Sequence, residues 1–169
     1  MLGTLFYLTP FLYADTRSEA HGISHYIMGL VQDWDEDTVA AVKEFEEAAK
    51  ADNANYAVHL RLGANYARRG EYVKAIPELK LAGQLNPQDI ESHYLLALIY
   101  STQEKDVDKA ADEYEIILKS FSKVDPHNVD IYGYLGQLYY SQKKFDKAIE
   151  QFEAILTIDA NNAEALSSL

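Results

Sequence analysis

The sequence predicts an all-α protein built from antiparallel helix pairs, and three features of the pattern support this fold class. From about residue 16 onward, apolar residues recur at three- and four-residue spacing in windows of 12 to 15 residues, as in amphipathic helices. The segments between these windows are rich in Asp, Asn, Gly and Lys, which end helices and form turns. The pattern then repeats about every 34 residues, so we expect helical hairpins stacked along the chain.

The composition of the chain limits the functional classes. Of its 169 residues 48% are apolar, which is enough material to bury a core. Acidic residues outnumber basic ones 27 to 15, and the resulting net charge of -12 argues against binding to nucleic acid or to anionic membrane surfaces. This charge suits a basic or an apolar partner. Because the chain has no cysteine, it has no disulfide and no thiolate metal site.

Two segments of the chain align over 34 residues, Tyr56–Asp89 and Val129–Asn162. The alignment places Leu62, Gly63, Tyr66 and Ala75 of the first over Leu135, Gly136, Tyr139 and Ala148 of the second. This pattern resembles the tetratricopeptide repeat, a helix–turn–helix unit with large–x–x–Leu–Gly–x–x–Tyr in its first helix. The resemblance covers residues 22 to 169 and implies a right-handed α-solenoid with repeats at about 22–55, 56–89, 90–128 and 129–162 and a partial fifth helix at 163–169.

Two classes of residue are expected to pack such an array. Small residues should lie where the two helices of one repeat cross, at Gly29, Gly63, Ala97 and Gly136. Tyrosines should fill the space between repeats, at Tyr66, Tyr100 and Tyr139. Repeat three is 39 residues long, so it carries about one extra residue in its inner turn and four around Ser120–Val124.

The first segment of the chain, residues 1–15, differs from the rest, since Met1–Ala14 carries no charged side chain. It is too short to span a bilayer as a helix. One interpretation is an apolar arm that packs on protein. The other is a signal segment, which would be a clipped one because the basic residues that normally begin a signal peptide are absent. The protein is therefore cytoplasmic in the first case, and exported or periplasmic in the second.

Three of the five histidines recur at the fourth position of successive repeats, at His25, His59 and His93. We expect half-buried packing residues in place of the aromatic residue that is usual in the family. A pH-sensitive seam is the alternative, because His titrates near neutrality. Neighbouring helices lie roughly 8–10 Å apart, too far for these histidines to share one metal ion. We find no phosphate-binding loop, dinucleotide fingerprint or nucleophile elbow, and expect no metal, no cofactor and no enzyme activity.

The resemblance implies that the first helices line a concave groove, with positions 2, 5, 9 and 12 of each repeat pointing into it. The candidate binding residues in and beside these positions are Tyr26, Leu30, Leu60, Arg61, Ala64, Arg68, Tyr94, Leu98, Tyr134, Gln137 and Tyr140. Most of them are aromatic or aliphatic. Arg61 and Arg68 would position the bound segment through polar contacts. Some family members bind a C-terminal carboxylate with Lys and Asn at positions 5 and 9 of the repeat. This sequence has neither residue at those positions. The expected function is a non-enzymatic protein-interaction scaffold that binds an apolar or aromatic peptide or helix in this groove.

Two alternatives stay open from the sequence. The apolar segment Leu5–Tyr13 could fill the protein's own groove or that of a neighbouring copy. In the second case the protein would be a self-assembling homo-oligomer. The chain could also be the interaction part of a longer protein, because the repeat pattern continues up to Leu169.

Overall fold

The computed structural model describes residues 9–120 and 126–169, with side chains from residue 18 onward. The chain divides into two compact units, here called unit 1, which ends at Asp89, and unit 2, which begins at Ile90. Both units are made of helices and turns, and no strand occurs in the described residues. The predicted all-α helical-repeat solenoid is confirmed.

Unit 1 contains two helical hairpins. Its helices are α1 (Thr9–Trp34), α2 (Thr38–Ala51), α3 (Tyr56–Arg68) and α4 (Tyr72–Leu85). The polar residues between them begin the helices, as expected for caps. The Asp37 carboxylate accepts a hydrogen bond from the backbone N–H of Ala40 at 3.0 Å, and the Asn55 side chain accepts one from Ala57 at 3.1 Å.

Unit 2 also contains two hairpins and ends in a short helix. Its helices are α5 (Ile90–Ile99), α6 (Val107–Lys119), α7 (Val129–Ser141), α8 (Phe145–Ile158) and α9 (Ala163–Ser168). A π-helical turn, Tyr100–Glu104, continues α5, and a 3-10 turn, Pro126–Asn128, precedes α7.

The extra residue predicted in the inner turn of repeat three lies in this π-helical turn. The backbone N–H of Asp106 bonds to the carbonyl of Tyr100, six residues earlier. In the other unit, the equivalent bond joins Glu71 to Tyr66, five residues earlier. The wider turn thus accommodates one more residue, and α6 still begins directly after it. The remaining insertion, predicted around 120–124, falls almost entirely outside the described residues.

Three glycines lie where the helices of one hairpin approach most closely, as predicted. A Cβ atom on Gly63 would lie 2.7 Å from Leu79 Cγ, and one on Gly136 would lie 2.8 Å from a ring carbon of Phe152. The same holds at Gly29 against the ring of Phe45. Any side chain at these positions would force the two helices apart, because the packed core leaves no void to receive it.

The tyrosines predicted to lie between repeats are buried, and two of them also form hydrogen bonds that the sequence did not reveal. The Tyr66 hydroxyl donates to Glu46 of the preceding repeat in unit 1, and the Tyr139 hydroxyl donates to Glu115 in unit 2. Burial, and then the carboxylate partner, raise the pKa of both Tyr66 and Tyr139.

The N-terminal boundary differs from the expectation. Helix α1 begins at Thr9 and runs without a break to Trp34, so the backbone of residues 9–15 belongs to the same helix as the first repeat. Residues 1–8, and with them half of the proposed groove-filling segment, lie outside the described residues. Among the helices that the structure does describe, none combines the length and the apolar character needed to cross a membrane.

Candidate functional site

In unit 1 the predicted binding residues lie on α1 and α3. Leu30 and Tyr26 are on α1, where the Tyr26 ring packs against Phe45 with centroids 5.9 Å apart. On α3, Leu60 is only 5% exposed, so it belongs to the core and has little surface left for a partner. Arg61 and Ala64 are half-buried. Of the predicted residues in unit 1, Leu30 is thus exposed, whereas Leu60 is lost to the core.

Arg68, predicted to contact a partner, is engaged inside unit 1. Its guanidinium donates to the Asp33 carboxylate of α1 and, at 2.6 Å, to the side-chain oxygen of Asn65. Asn65 is fully buried and donates to the carbonyl of Arg61 at 2.9 Å. This network connects α3 to α1. Arg68 would have to leave it before its guanidinium could contact a ligand.

In unit 2 the predicted residues lie on α5 and α7, and several are strongly exposed. Leu98 is 43% exposed, Tyr134 is 44% exposed and Tyr140 is 62% exposed. Gln137 is also exposed and donates to the Glu164 carboxylate of α9 at 3.0 Å. We call the surface formed by these side chains on α5 and α7 the unit 2 face.

Three tyrosines form a cluster beneath and within the unit 2 face. Tyr94 and Tyr114 meet edge to face at 6.3 Å, and Tyr114 stacks on Tyr134 at 5.8 Å. Burial raises the pKa of Tyr114 to about 12, with Tyr94 and Tyr134 adding to the effect. Burial also raises the pKa of Tyr94, followed by the Tyr134 hydroxyl and the charge of Asp130. Aromatic contacts of this kind fix ring orientation, so the exposed side of Tyr134 is held in place.

The three periodic histidines each contact a glutamate of the second helix in the same repeat. Nδ1 lies 2.6 Å from Glu44 in the case of His25, 2.6 Å from Glu78 for His59 and 2.7 Å from Glu113 for His93. The expected packing role of these histidines did not include their glutamate partners. The signal was present, since a glutamate follows each histidine after 19 or 20 residues.

His59 is the most buried of the three histidines, and it has acceptors at both ring nitrogens. Besides Glu78, the Asn53 backbone carbonyl lies 3.1 Å from Nε2. The pair therefore fastens α3 to α4 and to the turn before α3. In the described parts of the chain, no three His, Asp or Glu side chains are arranged to hold a metal ion.

Two family models match the sequence, and both describe the tetratricopeptide repeat. One covers residues 35–99 and the other covers residues 91–163, so together they span most of the chain. The chain belongs to the tetratricopeptide repeat family. Proteins of this family are generally non-enzymatic interaction modules, and the repeat array of this chain is a protein–protein interaction scaffold of this kind.

Two curated relatives of this tetratricopeptide repeat protein are considerably longer than the chain. The BBSome complex member BBS4 of Bos taurus is 30% identical over 127 residues, which cover 75% of this chain and 23% of that protein. The type IV pilus assembly protein PilF of Pseudomonas aeruginosa is 26% identical over 125 residues, which cover 74% of this chain and 45% of PilF. The chain thus spans between a quarter and a half of these relatives.

Solved structures share the repeat architecture. A crystal structure of MamA matches with a TM-score of 0.74 and 26% identity, covering 88% of this chain and 78% of MamA. YrrB, a tetratricopeptide repeat protein with an unusual peptide-binding site, matches with a TM-score of 0.69 and 23% identity, covering 87% of this chain and 73% of YrrB. The second likeness concerns the fold alone.

Proposed function

We propose that this scaffold binds an apolar or aromatic peptide or helix, and that the unit 2 face carries the main contacts. The observation behind the proposal is the exposure of Leu98, Tyr134 and Tyr140 at the predicted binding positions. Exposed apolar side chains that occur singly are ordinary, but a group on one face favours an interaction site. Gln137 supplies a polar group within the same surface.

The chemistry of these side chains suits peptide binding. A tyrosine offers a large contact area and loses little conformational entropy when it is fixed by a ligand. Tyr134 loses less than usual, because its ring is already stacked on Tyr114. An amphipathic helix that lays its apolar side on such a face would bury the exposed parts of these rings. Tyr26, Leu30, Arg61 and Ala64 of unit 1 would contribute less area, since most of them are partly buried.

The relatives provide independent support for a role in binding other proteins. BBS4 is a member of a complex, and PilF is an assembly protein. Because this chain spans only part of each of them, their partners do not carry over to it. The shared property is the repeat array itself, which offers repeated faces to other chains.

A displayed library of short random peptides, selected against the full chain, tests the proposal. Selected peptides should bind the wild-type protein and lose about tenfold or more in affinity to Tyr134→Ala/Tyr140→Ala, because exposed aromatic anchors dominate such interfaces. The matched control is Ile116→Ala, which truncates an exposed apolar side chain on α6, a second helix. Peptides that bind the tyrosine variant as tightly as the wild type would show that the unit 2 face is not the binding surface.

A further inference from the structure

A small cavity opens beside Tyr134, between α7, α8 and the start of α9. Its volume is about 140 Å³, and its polar lining comes from Asp130, Tyr134, Gln137, Asn162 and Glu164. Buried Phe152 contributes to its apolar part. The cavity adjoins the unit 2 face, because Tyr134 and Gln137 belong to both.

The cavity carries negative charge with no positive side chain to balance it. Asp130 and Glu164 supply two carboxylates, and none of the residues lining the cavity is Lys, Arg or His. The effect of Asp130 reaches the tyrosine cluster, since its charge contributes to the raised pKa of Tyr94. The equivalent positions of unit 1 are held by apolar Ile23 and Ala57, so this charge is particular to unit 2.

We propose that this cavity receives a lysine or arginine side chain of the segment bound on the unit 2 face. The inference rests on the proposed function and specifies the partner as a segment that places a basic residue next to apolar or aromatic ones. The cation would be attracted by the carboxylates of Asp130 and Glu164 and would contact the exposed ring of Tyr134. The chain's net charge of -12 would also draw such a segment towards the protein.

Other side-chain chemistries fit the cavity less well. An acidic side chain would be repelled by both carboxylates. A purely apolar side chain would remove water from Asp130 and Glu164 without replacing the lost hydrogen bonds, which is costly. A cation with a flexible apolar stem satisfies both requirements, because the stem covers the apolar wall while the charged group meets the carboxylates.

The same library selection, carried out on the full chain, tests this inference with charge variants. Asp130→Asn/Glu164→Gln removes both charges and keeps the size of the side chains. The matched control, Asp112→Asn/Glu153→Gln, removes two exposed carboxylates from second helices, α6 and α8, and changes the net charge equally. Selected peptides should be enriched in Lys or Arg flanked by apolar residues. They should lose about tenfold in affinity to the cavity variant and far less to the control, because only the cavity carboxylates contact the cation.

The outcomes separate this inference from the proposed function. If the selected peptides lack basic residues, or bind the cavity variant and the wild type equally well, but still need Tyr134 and Tyr140, then the inference is wrong and the proposed function stands. If both charge variants weaken binding equally, the effect is general electrostatic attraction and the cavity is not the site. If no peptide is enriched, or if binding ignores the tyrosines too, both proposals fail.

Discussion

Arg68 at the end of α3 pairs with Asp33 of α1 in unit 1, whereas Thr102 and Ser141 occupy the equivalent positions of unit 2. Each of these two hydroxyl groups bonds to a nearby carbonyl of its own first helix. The Thr102 hydroxyl donates to the Leu98 carbonyl at 2.7 Å, and the Ser141 hydroxyl donates to the Leu138 carbonyl at 2.7 Å. In unit 1 a first-helix side chain thus joins two repeats, whereas the side chains at the same position of unit 2 bond locally.

The histidine–glutamate pairs are also distributed differently between the two units. Unit 1 has one in each of its two hairpins, and in the described residues of unit 2 His93 and Glu113 form another. Repeat four has buried Tyr132 in place of the histidine. The fourth position of the repeat thus carries a histidine–glutamate pair in repeats one to three and a buried aromatic residue in repeat four.

The largest expected effect tests what the two units share. Gly63→Ala in unit 1 and Gly136→Ala in unit 2 should each lower the free energy of unfolding by about 1–3 kcal/mol, because the new methyl group clashes inside a packed hairpin. Chemical denaturation of the full chain measures this loss.

The matched control for this comparison is Gly133→Ala on α7. A Cβ atom there would meet only Ile155, at 4.0 Å, which is ordinary contact. Its effect should be neutral or stabilising by up to about 1 kcal/mol, since alanine favours helix more than glycine does. A loss at Gly136 no greater than at Gly133 would contradict the shared close approach of the helices.

The second prediction tests the charged contacts of unit 1. His59→Ala should cost about 1–3 kcal/mol of unfolding free energy, because it leaves the partly buried Glu78 carboxylate and the Asn53 carbonyl without this partner. His25→Ala should cost less, since the His25 side chain is 26% exposed and the His59 side chain only 6%. A double-mutant cycle on His59 and Glu78 isolates the pair. A coupling energy near zero would mean that packing alone explains the histidine.

The smallest expected effect concerns the aromatic contacts of unit 2 at high pH. The pKa of Tyr114 is raised to about 12, so the folded state holds its proton more tightly than the unfolded state does. The resulting stability is fully present below the ordinary tyrosine pKa of about 10 and is lost as the pH rises from there towards 12.

Denaturation of the wild-type chain and of Tyr114→Phe between these pH values measures that loss. The variant should lose less stability across the interval, because it has no hydroxyl to ionise at this position. Tyr56→Phe, at an exposed tyrosine of α3, serves as the control and should follow the wild type. Parallel curves for Tyr114→Phe and wild type would show that the cluster gives unit 2 no sensitivity to base.

Much of the fold was predictable because its determinants lie close together in the sequence. Helix ends follow from local capping residues such as Asp37 and Asn55, and the close crossings follow from glycines at fixed positions in the repeat. The candidate site was less predictable. The place of Leu60 and Arg68 in the repeat predicted that both lie on a binding surface. Leu60 is buried, however, and Arg68 forms an ion pair with Asp33. Both outcomes depend on side chains that neighbouring helices contribute.

The sequence by itself determined that the chain forms helical hairpins and which residues separate them, because helix periodicity and turn propensity act over a few residues. Only the tertiary structure decided which side chains remain available. The carboxylate partners of Arg68, Tyr66 and His59 lie 19 to 35 residues away, and only packing brings them within hydrogen-bonding distance. Equivalent positions of two repeats therefore have different roles, since burial and pairing depend on the facing helix.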